Sequence, residues 1–298
     1  MTHILTLIGN KATPLTEQRV EQARAAIASL TNPAPPDWLA EGIACDIPLT
    51  AHPNAHAIDA IRKALDHAAI DMAIVPDANR RKKLLVADMD STIIEQECID
   101  ELAAMVGMKD KVAAITERAM RGDIAFEPAL KERVALLKGL PLAALDQVYR
   151  ERITETPGGR ALTATMQAHG AICALVSGGF SFFTERVARS VGFQSEQANS
   201  LLHENGKLTG RMHEPILGQD AKLAALKSLS AEYNISPEET MAVGDGANDL
   251  AMIRAAGLGV AFHAKPVIAA QAAARIDHAD LTALLYLQGY HAAEIIQP

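Results

Sequence analysis

Residues 83–92 read KLLVADMDST: a lysine, four apolar residues (Leu84, Leu85, Val86, Ala87), then Asp88, where the run stops. A short apolar run without polar alternation suits a strand buried on both faces of a parallel sheet. Three similar runs follow at Ala171–Val176, Thr240–Val243 and Leu258–Phe262. Helical patterns at 157–168, 180–191, 219–232 and 247–255 separate them. Strands alternating with helices predict a doubly wound α/β region with a parallel, Rossmann-like sheet.

The stretch between the first two strands has no strand signal. Residues 96–151 predict a helical insert of four helices, with turns at Gly107, Gly122 and Gly139-Leu140-Pro141. Asn205-Gly206, between Ala198–His203 and Lys207–Met212, predicts a hairpin with a type I′ turn. Upstream, residues 3–9 read as a strand and 16–30 as an amphipathic helix capped by Thr16. A turn rich in proline (Pro33, Pro35, Pro36) follows, then a strand near 42–48, a helix near 54–68 and a strand at 70–75. This βαβαβ order describes a small α+β unit. Pro76-Asp77-Ala78-Asn79 and the basic run Arg80-Arg81-Lys82-Lys83 set a boundary near residue 80. The expected domains are therefore 1–80 and 81–298, the second carrying the insert.

Bulk properties narrow the function. Of the 298 residues, 49% are hydrophobic and only 4% aromatic, and the formal net charge is −8. Nucleic-acid affinity comes largely from clustered Lys and Arg, so an acidic chain with one short basic run is no nucleic-acid binder. Cys45, Cys98 and Cys173 are odd in number, far apart and at no metal-binding spacing, which points to a reducing compartment. His263, His278 and the other histidines form no metal-ligand pair and read as surface or packing residues. The N-terminus has no secretory signal pattern, and no apolar run reaches the ~20 residues that span a bilayer. The expectation is a cytoplasmic protein without a membrane segment.

In open α/β sheets ligands bind beyond the carboxyl ends of the strands. Asp88-Met89-Asp90-Ser91-Thr92 follows the first strand, Ser177-Gly178-Gly179-Phe180 the second, and Gly244-Asp245-Gly246-Ala247-Asn248-Asp249 the third; Lys222 lies early in the preceding helix. A dinucleotide fingerprint would need glycine where Asp249 stands, and a carboxylate there repels a pyrophosphate. Asp88, Asp90 and Asp245 crowd negative charge into one place, which is costly without a cation. Oxygen ligands of this kind, completed by a substrate phosphate, suit Mg2+. Lys222, the Ser177 hydroxyl and the amides of Gly178 and Gly179 suit phosphoryl oxygens. Covalent catalysis through a carboxylate, with a second carboxylate two residues on as general acid and base, is a recognised route for slow phosphate monoesters.

Over about residues 83–280 these motifs resemble the haloacid dehalogenase-like (HAD) superfamily and, within it, the phosphoserine phosphatases. The resemblance implies a HAD-like core with a helical-bundle cap. It implies Asp88 as nucleophile and Asp90 as general acid/base, which also gives its backbone carbonyl to magnesium. Asp245 would be the other carboxylate ligand, supported by Asp249, with Ser177, Gly178 and Lys222 on the phosphoryl group and Asn248 orienting it. For an O-phosphoserine substrate, Glu97 takes the ammonium and Arg133 the carboxylate, whose two oxygens suit the planar fork of arginine. Met120 and Phe126 wall the pocket. Transfer to another small alcohol such as homoserine, and an amino-acid-binding regulatory protein with a silent catalytic region, are the alternatives. Residues 1–80 resemble ACT-type modules, though one strand short. Amino-acid sensing, a structural role and homodimerisation all stay open for them.

Overall fold

The computed structural model of the protein describes residues 3–50, 55–120 and 123–298. In chain order the first elements are β1 (His3–Ile8), α1 (Glu17–Thr31), β2 (Asp37–Ala40), β3 (Ala44–Leu49), α2 (Ala55–Ala64) and β4 (Asp71–Pro76). After β5 (Leu84–Ala87) come four helices, α3 (Cys98–Met105), α4 (Lys109–Met120), α5 (Phe126–Ala135) and α6 (Leu142–Arg152). Then follow α7 (Gly159–Ala168), β6 (Ile172–Phe180), α8 (Ser181–Val191), β7 (Ser195–Asn199), β8 (Leu201–Glu204), β9 (Lys207–Met212) and α9 (Gln219–Glu232). The chain ends with β10 (Thr240–Gly244), α10 (Leu250–Ala255), β11 (Leu258–Phe262), α11 (Pro266–Ala269), β12 (Ala274–Ile276) and α12 (Ala283–Leu287).

Six strands form one parallel sheet in the order β12-β11-β10-β5-β6-β7. The apolar run at 84–87 lies in its middle, with Val86 opposite Ala242 on one side and Ala174 on the other. Leu85 and Ala87 enter the core on one face, Leu84 and Val86 the core on the other, and all four are fully buried. That is why the run does not alternate. The chain leaves β5 toward β6 on one side and returns to β10 on the other, so β5 ends at the point where the strand order reverses. This is the position at which such sheets open a crevice.

Two strands of this sheet escaped the sequence reading. β7 (SEQAN) is a polar edge strand and β12 has only three residues, so neither has an apolar run. The hairpin at Asn205-Gly206 is present, with both residues at positive φ (50° and 74°) as a type I′ turn requires. Its first strand begins at Leu201; Ala198 and Asn199, expected in the hairpin, belong to β7.

The first 76 residues carry a fourth strand beyond the three expected. β2 is the short segment Asp-Trp-Leu-Ala just after the prolines, paired antiparallel to β3. The order βαββαβ and the sheet β2-β3-β1-β4 are ferredoxin-like. Thr16 caps α1, its hydroxyl accepting from the Arg19 amide at 3.3 Å. α2 ends at Ala64 rather than near 68, and the turn expected at Gly122 lies outside the described residues.

The long helical segment is four helices among the described residues. Its two links to the sheet run side by side: Glu95 N–H donates to the Thr154 carbonyl (3.0 Å) and Thr156 N–H to the Ile93 carbonyl (2.9 Å). The hairpin joins it too, since Gly139 N–H donates to the Leu208 carbonyl and Leu208 N–H to the Leu140 carbonyl (2.8 and 2.9 Å).

Candidate active site

Asp88 follows the last residue of β5, and its N–H continues the ladder to the Val243 carbonyl (3.0 Å). The sheet thus fixes its backbone, and the residue is 4% exposed. Lys222, on the first turn of α9 and 1% exposed, places Nζ 2.6 Å from Asp88 Oδ1 and 2.6 Å from Asp249 Oδ1. The Met89 amide also donates to Asp88 Oδ1 (2.8 Å). The other Asp249 oxygen accepts from the Gly246 amide (3.0 Å). Burial disfavours the charged Lys222 amine, but the Asp249 and Asp88 carboxylates outweigh it and keep the amine charged.

One lysine does not balance this site. Asp88, Asp245 and Asp249 each bring a carboxylate oxygen within 4.8 Å of the others. Burial, then the Asp249 charge, lift Asp88 well above the usual carboxylate range despite Lys222. The same two causes push Asp245 up to about 7. A set of hard oxygen donors that resists ionisation for want of positive charge fits a divalent cation. The carboxylate of Asp90 stands outside this cluster: Oδ1 accepts from the Cys98 amide at the start of α3 (2.9 Å), and Ser177 Oγ donates to Oδ2 (3.4 Å). Burial raises its pKa as well.

Ser177, 1% exposed, lies near the C-terminal end of β6, and its Oγ accepts from the Gly179 amide (2.8 Å). A Cβ on Gly179 would stand 2.6 Å from Asp90 Oδ2 and 3.0 Å from Ser177 Oγ, so no side chain fits there. Phe126, at the start of α5, comes down on this turn: a Cβ on Gly178 would lie 3.0 Å from its Cζ. Asn248 is half-buried in the turn after β10, its Oδ1 against Gly246.

Glu97 stands just before α3 and Arg133 on α5, and each feels the Asp90 carboxylate. Glu97 is exposed, yet the protein packed around it, then the Asp90 carboxylate, push it up to about 7. Ser91, at φ 54°, donates from Oγ to Glu97 Oε1 (2.7 Å). Burial lowers the Arg133 pKa, and the negative charges of Glu97, Asp100 and Asp90 oppose that. Its guanidinium donates from Nη1 to Thr116 Oγ1 (3.2 Å) and from Nε to the Ala129 carbonyl (3.3 Å). The side chain of Met120 lies outside the described residues. Ser91 belongs to the motif after the first strand, whereas Thr116 and Asn199 (the last residue of β7) have no counterpart in the sequence reading. A lone hydroxyl or amide carries no spacing signal.

The sequence profile of haloacid dehalogenase-like hydrolases matches residues 85–254. A phosphoserine phosphatase of Archaeoglobus fulgidus is 44% identical over 226 residues, 75% of this chain and 65% of that protein, just under two thirds of its length. One from Albidiferax ferrireducens is 46% identical over 210 residues, 69% of this chain and 89% of the relative. The crystal structure of a probable phosphoserine phosphatase from Vibrio cholerae superposes with a TM-score of 0.77 at 32% identity. That match covers 98% of this chain and 88% of the other.

Proposed function

This chain belongs to the haloacid dehalogenase-like hydrolases, among the phosphoserine phosphatases, and we propose that it hydrolyses O-phospho-L-serine to L-serine and phosphate. This would be the last step of serine synthesis by the phosphorylated route. On this reading residues 1–80 are an appended module, 81–298 the catalytic region, and 96–151 a cap over the cleft. Three buried, free cysteines suit a reducing, cytoplasmic setting.

The substrate phosphoryl group sits against Lys222, the Ser177 hydroxyl, the amides of Gly178 and Gly179, and Asn248. Both contacts of Asp88 described above fall on Oδ1, leaving the other oxygen to attack phosphorus. As that bond forms, the ester P–O bond breaks, and the serine oxygen takes a proton from Asp90. Water then attacks the phosphoryl group on Asp88, Asp90 accepts its proton, and phosphate leaves with the Asp88 carboxylate restored. Asp88, Asp245 and the backbone carbonyl of Asp90 would hold magnesium, with Asp249 in support. Bound there, the ion supplies positive charge that favours ionised carboxylates and an anionic substrate together. Glu97 meets the substrate ammonium and Arg133 its carboxylate, while Phe126 closes the side of the pocket.

The observation that carries this reading is the buried Lys222 with Nζ 2.6 Å from both Asp88 and Asp249, while Asp245 brings a third carboxylate oxygen within 4.8 Å of theirs. Phosphate release from a panel of phosphorylated amino acids and sugars tests it. Phosphoserine should give the highest kcat/KM, and EDTA should abolish release until magnesium is restored. A preferred sugar phosphate, or full activity in EDTA, would contradict it.

A further inference from the structure

Asn199 ends β7 and is 2% exposed, and its side-chain amide reaches two separate segments. Nδ2 donates to the Gly178 carbonyl (2.9 Å) and the Leu217 carbonyl (3.2 Å), while Oδ1 accepts from the Leu217 amide (2.8 Å). This pattern fixes the side chain's chemistry. It demands two donors and an acceptor on one planar group, which a carboxylate, lacking donors, cannot supply.

Gly178 belongs to the turn whose hydroxyl and amides face the phosphoryl position. Leu217 stands one residue before Gly218, which opens α9, and α9 carries Lys222. The two segments are far apart in sequence yet must grip one phosphoryl group at fixed separation. Phe126 rests on both: a Cβ on Gly218 would lie 3.6 Å from its Cδ1, as one on Gly178 would lie 3.0 Å from its Cζ.

We propose that Asn199 is a positioning residue for phosphoryl transfer, holding the Ser177–Gly179 turn and the Lys222 helix in one register and so setting the affinity for phosphate. This rests on the site being a phosphatase centre as argued above. Asn199 touches neither substrate nor the reacting atoms; it acts through the two segments it joins. Its loss leaves two half-buried carbonyls and an amide without this partner, and each segment then settles on its own.

The test uses the full chain with magnesium, as Asn199→Ala, and as Asn199→Ser should the alanine variant not fold. Five quantities are read well below each melting temperature: kcat and KM for phosphoserine, kcat and KM for p-nitrophenyl phosphate, and the calorimetric Kd for inorganic phosphate; Tm is measured beside them. The expected result is a phosphate Kd weaker by about tenfold or more, roughly one buried hydrogen bond's worth. kcat/KM should fall by a common factor on both substrates, leaving their ratio unchanged. A lower Tm with wild-type phosphate affinity and kcat would overturn the proposal, because that is what a purely structural side chain does. A loss confined to phosphoserine would overturn it too, since it would place the effect on the serine side of the pocket. If the wild type hydrolyses the aryl ester but not phosphoserine, the substrate assignment fails instead. The role of Asn199 is then still decided by the aryl ester and by phosphate binding.

Discussion

At Asp88 a buried carboxylate is held between the charge that stabilises it and the charges that oppose it. Lys222 offsets part of the negative field, but burial and Asp249 still leave Asp88 and Asp245 raised. The sign of the resulting linkage is definite. An acid whose folded pKa exceeds its unfolded value stabilises the fold only while protonated, so stability falls as pH rises through the window between the two values. In EDTA the protein should therefore lose stability between about pH 4 and pH 7, the span over which Asp245 moves from 3.8 to about 7. Magnesium should flatten that slope. A denaturation series with and without the ion checks both statements, and a metal-free curve that rises through this range would contradict them. Asp88→Asn removes one of the crowded charges, so it should abolish turnover while the metal-free fold survives at equal or higher Tm. Gly179→Ala puts a methyl group against Asp90 and Ser177, and should cut kcat on phosphoserine and on an aryl phosphate alike. Arg133→Ala should instead raise KM for phosphoserine about tenfold or more with little change for an aryl phosphate, since only the former offers a carboxylate. Equal KM effects on both would remove that role from Arg133.

Among the elements, the helical segment α3–α6 meets the sheet through two adjoining links at 93–97 and 152–157 and through the β8–β9 hairpin. Phe126 on α5 already rests on Gly178, near the end of β6. Closure of this segment over a phosphate mimic should slow backbone hydrogen exchange in 98–152 and in 207–212 together, because β9 is bonded to the segment at Leu208. Slowing in one without the other would show that they move independently. The elements also show what could be read in advance. Strands at the centre of the sheet declare themselves, because burial on both faces forces a continuous apolar run at 84–87 and 258–262. Edge strands carry no such demand. β7 is polar, β12 is three residues long, and β2 is four residues beside prolines, so all three were invisible to pattern. The same blindness hid Asn199, since the strand it ends was not recognised. Asp88, Ser177, Asp245 and Asp249, by contrast, lie at or beside the ends of the legible central strands, and Lys222 reaches two of them from the first turn of α9.

Across the whole molecule, the ferredoxin-like unit is fastened to the six-stranded sheet by more than the linker. Its own core lies on one side of the antiparallel sheet, around Leu5, Leu7 and Ile47. The opposite side, with Ile4, Ile8 and Val75, joins the large core that includes Tyr286 and Leu287. Arg80 is embedded in that seam: its guanidinium contacts Asp46 at 2.5 and 2.8 Å, the Thr6 hydroxyl at 3.0 Å and the Leu287 carbonyl at 3.0 Å. Nearby, the Asp71 carboxylate accepts from the amides of Asp277, His278 and Ala279 at 2.7–3.1 Å, so its oxygens are committed to holding the seam. Arg80→Met would leave Asp46 charged and buried without its partner, at a cost of about 3–5 kcal/mol. The denaturation midpoint should drop accordingly, with β1–β4 losing exchange protection ahead of β5. A shift under about 0.5 kcal/mol, typical of an unconstrained surface change, would mean the seam does not depend on this pair. What this scaffold brings together at the end of β5 is decided most directly by trapping the protein during turnover. Acid quench of the enzyme with labelled phosphoserine, followed by peptide mapping, should find one phosphoryl group on the peptide spanning 84–92, attached to Asp88. Turnover with the label on another residue, or with no covalent label at all under conditions that preserve an acyl phosphate, would contradict Asp88 as the nucleophile.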